Sequence, residues 1–272
     1  MSIIPKHYLN AVTPIGVRNN QGTIWIGTGF YVVRRVDENG MARPFLVTNK
    51  HVVTGRKNII VRMMKKNDAT LNDVDAPLDN QDGPIYKLHK ESAVDIAVIP
   101  LNATFIKEQG YDFPAFDIDG EAMSSPDLRE SGVDEGSLIH MLGFPMGLVN
   151  QQSMLPICRL GCIARMSEVQ IKEQKNLLVD IQNFPGNSGS PIILRPDGVH
   201  IKGTKNLSRS VLVGIIHSYI PYEETLINSQ TKKIVEVKSE NSGIAYAHPV
   251  EFIRDIIDEI QPKMDVGGIP QG

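Results

Sequence analysis

Cysteine is scarce in this chain: two among 272 residues, Cys158 and Cys162. They stand on what reads as one extended segment, where strand rise separates them by roughly 13 Å, beyond the reach of a disulfide. Free thiols of this kind fit a reducing compartment, and the expected location is cytoplasmic. Two cysteines without further Cys or His neighbours do not make a metal site, so no metal or other cofactor is expected. Long apolar runs are also lacking, and none approaches the ~20 residues of a membrane span. The opening residues, MSIIPKHYLN, have no basic stretch leading into a long apolar core, so no signal peptide is expected. Nor does one sign of charge dominate. Lys and Arg number 28 against 31 Asp and Glu, a formal net charge of −3 without like-charged blocks. Neither nucleic acid nor an anionic membrane is expected as a partner.

What is present is material for a core: 41% of residues are apolar, ordinary for a globular protein. Most of the chain reads as short strands rich in Val, Ile, Thr and aromatics, divided by turn signals. In the first half these runs cover 23–36, 44–53, 57–66 and 93–101. In the second they cover 137–144, 154–166, 176–184, 190–195, 210–220 and 243–250. Many short strands at this spacing point to an all-β barrel architecture over alternating strands and helices. Residues 102–136 are acidic, carry scattered Gly and Pro and show no period, and so read as a connector. The segment 221–242 reads as a loop. VEFIRDIIDEI (250–260) sets Phe252, Ile253, Ile256, Ile257 and Ile260 on one helical stripe, an amphipathic helix, and KMDVGGIPQG after it reads as a frayed tail. The expected domains are 1–120, with the connector running to about 136, and 137–262 including the helix.

FPGNSGSPII (184–193) holds a serine in a glycine-rich turn before an apolar strand. Such a turn is ordinary loop material unless a base and an orienting acid exist for Ser188, because a hydroxyl needs both to act as a nucleophile. Histidine has the pKa for the base. Of the seven histidines, His51 ends the run LVTNK, where a scaffold offers side chains for function. His89 and His140 have no such setting. Asp95, in AVDIAVIPL, is a lone carboxylate in an apolar run and costly to bury without a partner; an imidazole would suit it.

Together these segments resemble the trypsin-like, chymotrypsin-fold serine proteases. GTGFYV and LVTNKHVV are similar to the segment that leads to the family's histidine, DIAVIPL to its aspartate strand and GNSGSP to its nucleophile loop. LGFPMG (142–147), NFPGNSGSP and GIAYAHP (243–249) are similar to the bacterial HtrA-like branch. The resemblance implies two six-stranded antiparallel β-barrels with a C-terminal helix. It implies a catalytic triad of His51, Asp95 and Ser188, and an oxyanion hole from the amides of Gly186 and Ser188. The implied reaction is hydrolysis of polypeptides through an acyl-enzyme. Asn187 stands where the digestive enzymes carry an aspartate, so activation by a newly freed N-terminus is not expected. The disulfides of the family are not expected with two cysteines, and gating through the PDZ domain usual in that branch is not expected within these residues.

Counting back six residues from Ser188 puts Gln182 at the base of the expected S1 pocket, with His217, Ser218 and Tyr219 along a wall. A neutral base argues against basic P1 residues. A small or medium apolar P1 is expected first and an acidic one second. His217 would read the acid, unless a one-residue shift turns it towards Asp95. An active endopeptidase, a protease latent until a regulatory protein partner or a homo-oligomer orders its loops, and a peptide-binding pseudoprotease remain as alternatives.

Overall fold

In the computed structural model, the described residues are 3–37, 40–196, 205 and 207–262. The expected frayed tail, 263–272, lies outside them.

A short helix, α1 (Lys6–Asn10), precedes the first set of strands. These are β1 (Val12–Asn19), β2 (Gly22–Arg35), β3 (Ala42–Thr48), β4 (Asn58–Met64), β5 (Leu71–Pro77), β6 (Asp79–Asn80), β7 (Gly83–Pro84), β8 (Lys87–Leu88), β9 (Ala97–Pro100) and β10 (Phe116–Asp117). Helix α2 (Lys50–Val53) follows β3. The ladder runs β5-β4-β1-β2-β3-β9-β8, and β10 adds to β2 in parallel. This half is therefore the barrel-like sheet expected, with eight strands in place of six and a ladder running from β5 to β8. Pro77 and Pro84 lack the N–H needed to extend a ladder, and the intervening chain folds into its own two-stranded pairing of β6 with β7.

The second half is a closed six-stranded barrel. Its strands are β11 (Leu138–Gly143), β12 (Ile157–Arg165), β13 (Leu177–Asp180), β14 (Pro191–Leu194), β15 (Leu212–Ile227) and β16 (Ile234–Pro249), in the order β11-β12-β13-β16-β15-β14. Closure leaves the barrel proper no edge. Cys158 and Cys162 are both free thiols on β12.

The run expected as strand over 44–53 ends in helix α2 at Lys50–Val53, and two further segments differ from expectation. The connector carries structure: α3 (Ala103–Glu108) and α4 (Ser125–Glu130), with β10 between them. Each helix has an N-cap, the side chain of Asn102 accepting from Phe105 N–H and that of Ser124 from Asp127 N–H. Such caps offset the orphan amides of a first turn, a local signal too short to show a period. The expected loop at 221–242 is instead a ribbon. Beyond the barrel, β15 and β16 stay paired from Pro221↔Asn241 to Ile227↔Ile234.

Burial divides into three clusters. Ile15, Leu46, Ile59 and Ile99 fill the first half and Ile139, Val179, Ile192 and Ala245 the second. The third joins the halves: Phe30, Phe45 and Ile96 meet Leu142, Phe144, Ile193 and Ile215. Helix α5 (Glu168–Gln174) lies between β12 and β13 in the chain, and α6 (Glu251–Ile260) ends the described chain. Phe252, Ile253, Ile256 and Ile257 of α6 are buried in the joining cluster, with Ile260 packed at its margin, so this helix seals the seam between the halves. Arg34, on β2 and 1% exposed, reaches Asp119 at 3.2 Å and also pairs with Asp258 of α6. No helix among the described residues is long and apolar enough to cross a membrane.

Candidate active site

His51 and Asp95 are brought together by loop and helix, not by two strands. Strand β3 stops at Thr48, and α2 turns His51 outward at the next corner. Asp95 sits just before β9. Its Oδ2 lies 2.6 Å from His51 Nδ1, and its Oδ1 accepts the His51 backbone N–H at 3.0 Å. Its carbonyl accepts from Asn49 Nδ2 at 2.8 Å and Lys50 N–H at 3.3 Å. Its own N–H donates to His248 Nε2 at 2.9 Å. Burial pushes the Asp95 carboxyl up, but the hydrogen bond and charge of His51 outweigh it, and the carboxyl titrates below its ordinary value. The imidazole of His51 is half exposed and open to a substrate.

Ser188 lies on a turn closed by Asn187 N–H to the Phe184 carbonyl (3.0 Å) and Ser190 N–H to the Asn187 carbonyl (2.8 Å). Gly186 and Gly189 have φ of +95° and +89°, a region that L side chains avoid. Space forbids a side chain as well, since a Cβ at 186 would fall 2.4 Å from the Phe144 carbonyl and one at 189 only 2.0 Å from that of Thr28. Among the described residues, the amides of Gly186 and Ser188 donate to no protein acceptor. The Pro185 carbonyl accepts from Met146 N–H, and the N–H of a trans peptide points away from its carbonyl. The Gly186 amide is thereby turned away from the 144–147 segment.

Thr28 of β2, fully buried and not singled out by sequence, pins this turn to the first half. Its N–H donates to the Ser188 carbonyl at 2.9 Å, and its carbonyl accepts from Thr48 Oγ1 at 2.8 Å. Its hydroxyl accepts from Phe144 N–H at 3.1 Å and donates to the Gly186 carbonyl at 2.7 Å. Ser188 thus comes to the same end of the seam as His51. A Cβ added at Gly27 would meet Val52, next to His51, at 3.1 Å and the Ser188 carbonyl at 3.4 Å. No hydrogen bond joins Ser188 Oγ to His51 among the described residues. Asn187 is 1% exposed, and neither polar atom of its side chain has a protein partner there.

The expected pocket residues divide. Gln182 is exposed, and its neighbour Asn183 is the buried one. Ser218 and Tyr219 lie at the surface end of the barrel part of β15, half-buried and exposed respectively. His217 does not line a pocket with a free nitrogen. Its Nε2 lies 2.8 Å from Asn176 Oδ1, and its Nδ1 lies 3.0 Å from Ser218 Oγ. Its ring stacks on His248, with centroids 4.1 Å apart and planes 12° apart. It is His248, and not His217, that touches Asp95, by accepting its backbone N–H. Burial, then the neighbouring His248, hold His217 down to about 3; burial likewise holds His248 down to about 4. Both rings are neutral near pH 7. His248 and Asn176 were missed because an isolated His before a proline and an Asn after a helix carry no local sign of a role. His89 lies elsewhere, 3.3 Å from Asp255, and His140 is on β11.

Residues 27–201 match the profile of the trypsin-like peptidase domain. No curated protein matches the chain. Among solved structures, the chain is similar to the apo form of the MamO protease domain from Magnetospirillum magneticum, at 12% identity and a TM-score of 0.47, over 92% of this chain and 96% of that one. It is also similar to HBP, solved at atomic resolution, at 10% identity and a TM-score of 0.51, over 98% and 97%. Identity this low bears on the fold alone.

Proposed function

The chain belongs to the trypsin-like peptidase domain family, and on that premise we propose that it is a serine endopeptidase working through an acyl-enzyme. The observation that supports this best is the pairing of His51 with Asp95 beside a glycine turn whose Gly186 and Ser188 amides have no protein acceptor. In this reading Ser188 Oγ attacks the scissile carbonyl and His51 Nε2 takes its proton. The carbonyl oxygen becomes an oxyanion held by the two free amides, each worth about 2.7–4 kcal/mol in the transition state. The protonated His51 then gives its proton to the leaving amine as the C–N bond breaks. Water, deprotonated by His51, releases the acid and restores Ser188. Asp95 fixes the imidazole with Nδ1–H towards itself and stabilises the cation.

The expected preference is narrowed by His217. With both nitrogens engaged it offers nothing to an acidic P1 side chain, and neutral Gln182 offers no carboxylate to a basic one. A small or medium apolar P1 residue is the remaining reading. A second reading, a protease latent until ligand or partner binding, is favoured by the missing hydrogen bond between Ser188 and His51. Catalytic hydrogen bonds often tighten only in the substrate complex.

Intact-mass analysis after incubation with a fluorophosphonate tests the proposal. One adduct on the wild type and none on Ser188→Ala is expected. Absence of an adduct on the wild type overturns constitutive activity. Its appearance only with added peptide would favour the latent form.

A further inference from the structure

The ribbon formed by residues 221–227 of β15 and 234–240 of β16 projects beyond the closed barrel, and neither of its outer edges pairs with another strand among the described residues. Strand β16 pairs with β13 only from Ile244 to Ala247, and β15 with β14 only from Leu212 to Ile215. Its outer part is rich in exposed aliphatic side chains. Leu226, Ile227, Ile234, Val235 and Val237 are between 46% and 68% exposed. A two-stranded ribbon is marginal alone in water, and further strands stabilise it. An unguarded edge of this kind is a template for another strand.

The two edges are not equivalent. On β15, Pro221 has no N–H to give, and Tyr222–Ile227 holds Glu223 and Glu224 without any basic residue. Every two-fold register about that run lacks an opposite-charge pair. The β16 run Ile234–Glu240, IVEVKSE, has no Pro or Gly and is self-complementary. Set antiparallel to its own copy about Val237, it places Val237 opposite Val237, Glu236 opposite Lys238 and Lys238 opposite Glu236. Opposite charges across antiparallel strands stabilise the pair, and like charges oppose it. Charge pattern, bare edge and exposed side chains therefore agree on one occupant.

We propose that two copies of this chain associate through the outer edges of β16, forming a four-stranded antiparallel sheet with its two-fold axis at Val237. Such an interface is isologous and closes at two copies.

The register makes the test specific. In a background carrying Cys158→Ser and Cys162→Ser, Val237→Cys should form an intermolecular disulfide under mild oxidation, because opposed Cα atoms lie about 4.5–5.5 Å apart. Val235→Cys should not, since it would face residue 239 of the other copy. Sedimentation velocity should show a concentration-dependent dimer for the wild type. Lys238→Glu should weaken it by tenfold or more in Kd, and Glu236→Lys with Lys238→Glu should restore it, the charges being exchanged but still complementary. Two outcomes overturn the proposal. One is a monomer at every concentration with no crosslink at 237; the other is a dimer that neither Lys238→Glu nor the position of the cysteine affects.

Discussion

The backbone N–H of Asp95 donates to Nε2 of His248, 2.9 Å away, while Nδ1 of the same ring donates to the Lys175 carbonyl at 2.7 Å. The second bond fixes the tautomer that makes the first possible. An imidazole from the second barrel thereby positions the carboxylate that orients His51 in the first. Replacing His248 by Phe should lower kcat on the order of tenfold with little change in KM, one buried hydrogen bond being worth about 1–3 kcal/mol when its partner is left unpaired. His248→Gln, which keeps an acceptor, should recover part of the loss. Steady-state kinetics on a peptide substrate decides, and an equal rise of KM in both variants would contradict a positioning role.

Acid should destabilise the fold earlier than an ordinary carboxylate transition. His217 and His248 are held at about 3 and about 4, whereas each titrates near about 6.5 in an unfolded chain. Between those values the unfolded state binds the extra protons. The stabilisation is complete above about pH 6.5 and is lost as pH falls towards 4 and then 3. Asp95, depressed by His51, adds a loss of the same sign below its unfolded value of about 3.9. Urea midpoints should fall between about pH 7 and about pH 4.5, and fall less in His217→Phe. Equal midpoints for the wild type at both values would refute the burial of neutral rings.

Thr28→Val keeps the shape of a buried residue but strips the hydroxyl from both the Phe144 N–H and the Gly186 carbonyl. The expected cost is about 1–3 kcal/mol for each group left unpaired, read as a lower denaturation midpoint. Fluorophosphonate labelling should slow as well, because the Gly186 peptide loses its anchor. Thr28→Ser should restore both. Stability loss without any change in labelling would separate Thr28 from the turn.

Gly189→Ala combines an unfavourable φ of +89° with a Cβ only 2.0 Å from the Thr28 carbonyl. The Thr28 carbonyl is backbone and cannot swing aside, so the turn must move. A loss beyond about 3 kcal/mol is expected, seen as poor soluble yield or a sharp drop in melting temperature. Gly55→Ala, also at positive φ but with nothing within 4 Å, should cost about 1 kcal/mol. Similar losses for the two would show that crowding at 189 is not the cause.

Much of this protein was legible as local pattern. Enrichment in Val, Ile, Thr and aromatics between turn signals marked most strands, the stripe from Phe252 to Ile260 marked α6, and the contexts of His51, Asp95 and Ser188 marked the candidate site. The caps at Asn102 and Ser124 were also local, yet helices of one to two turns leave too few residues for a period. The 221–242 ribbon was missed because residues 221–240 are exposed throughout, so its aliphatic residues are interleaved with Glu, Lys and Thr between turn-like stretches and do not build the half-buried pattern by which a strand is read.

By itself the sequence determined the β-rich character, the turn around Ser188 and which side chains could act as nucleophile, base and acid, because these rest on residue type and short-range spacing. Tertiary structure alone decided that His51 meets Asp95, that Thr28 pins the nucleophile turn, and that His217 stacks on His248 instead of facing substrate. Those contacts join residues 31 to 160 positions apart in the chain, and no local propensity specifies which distant neighbour a buried polar group finds when the two halves pack.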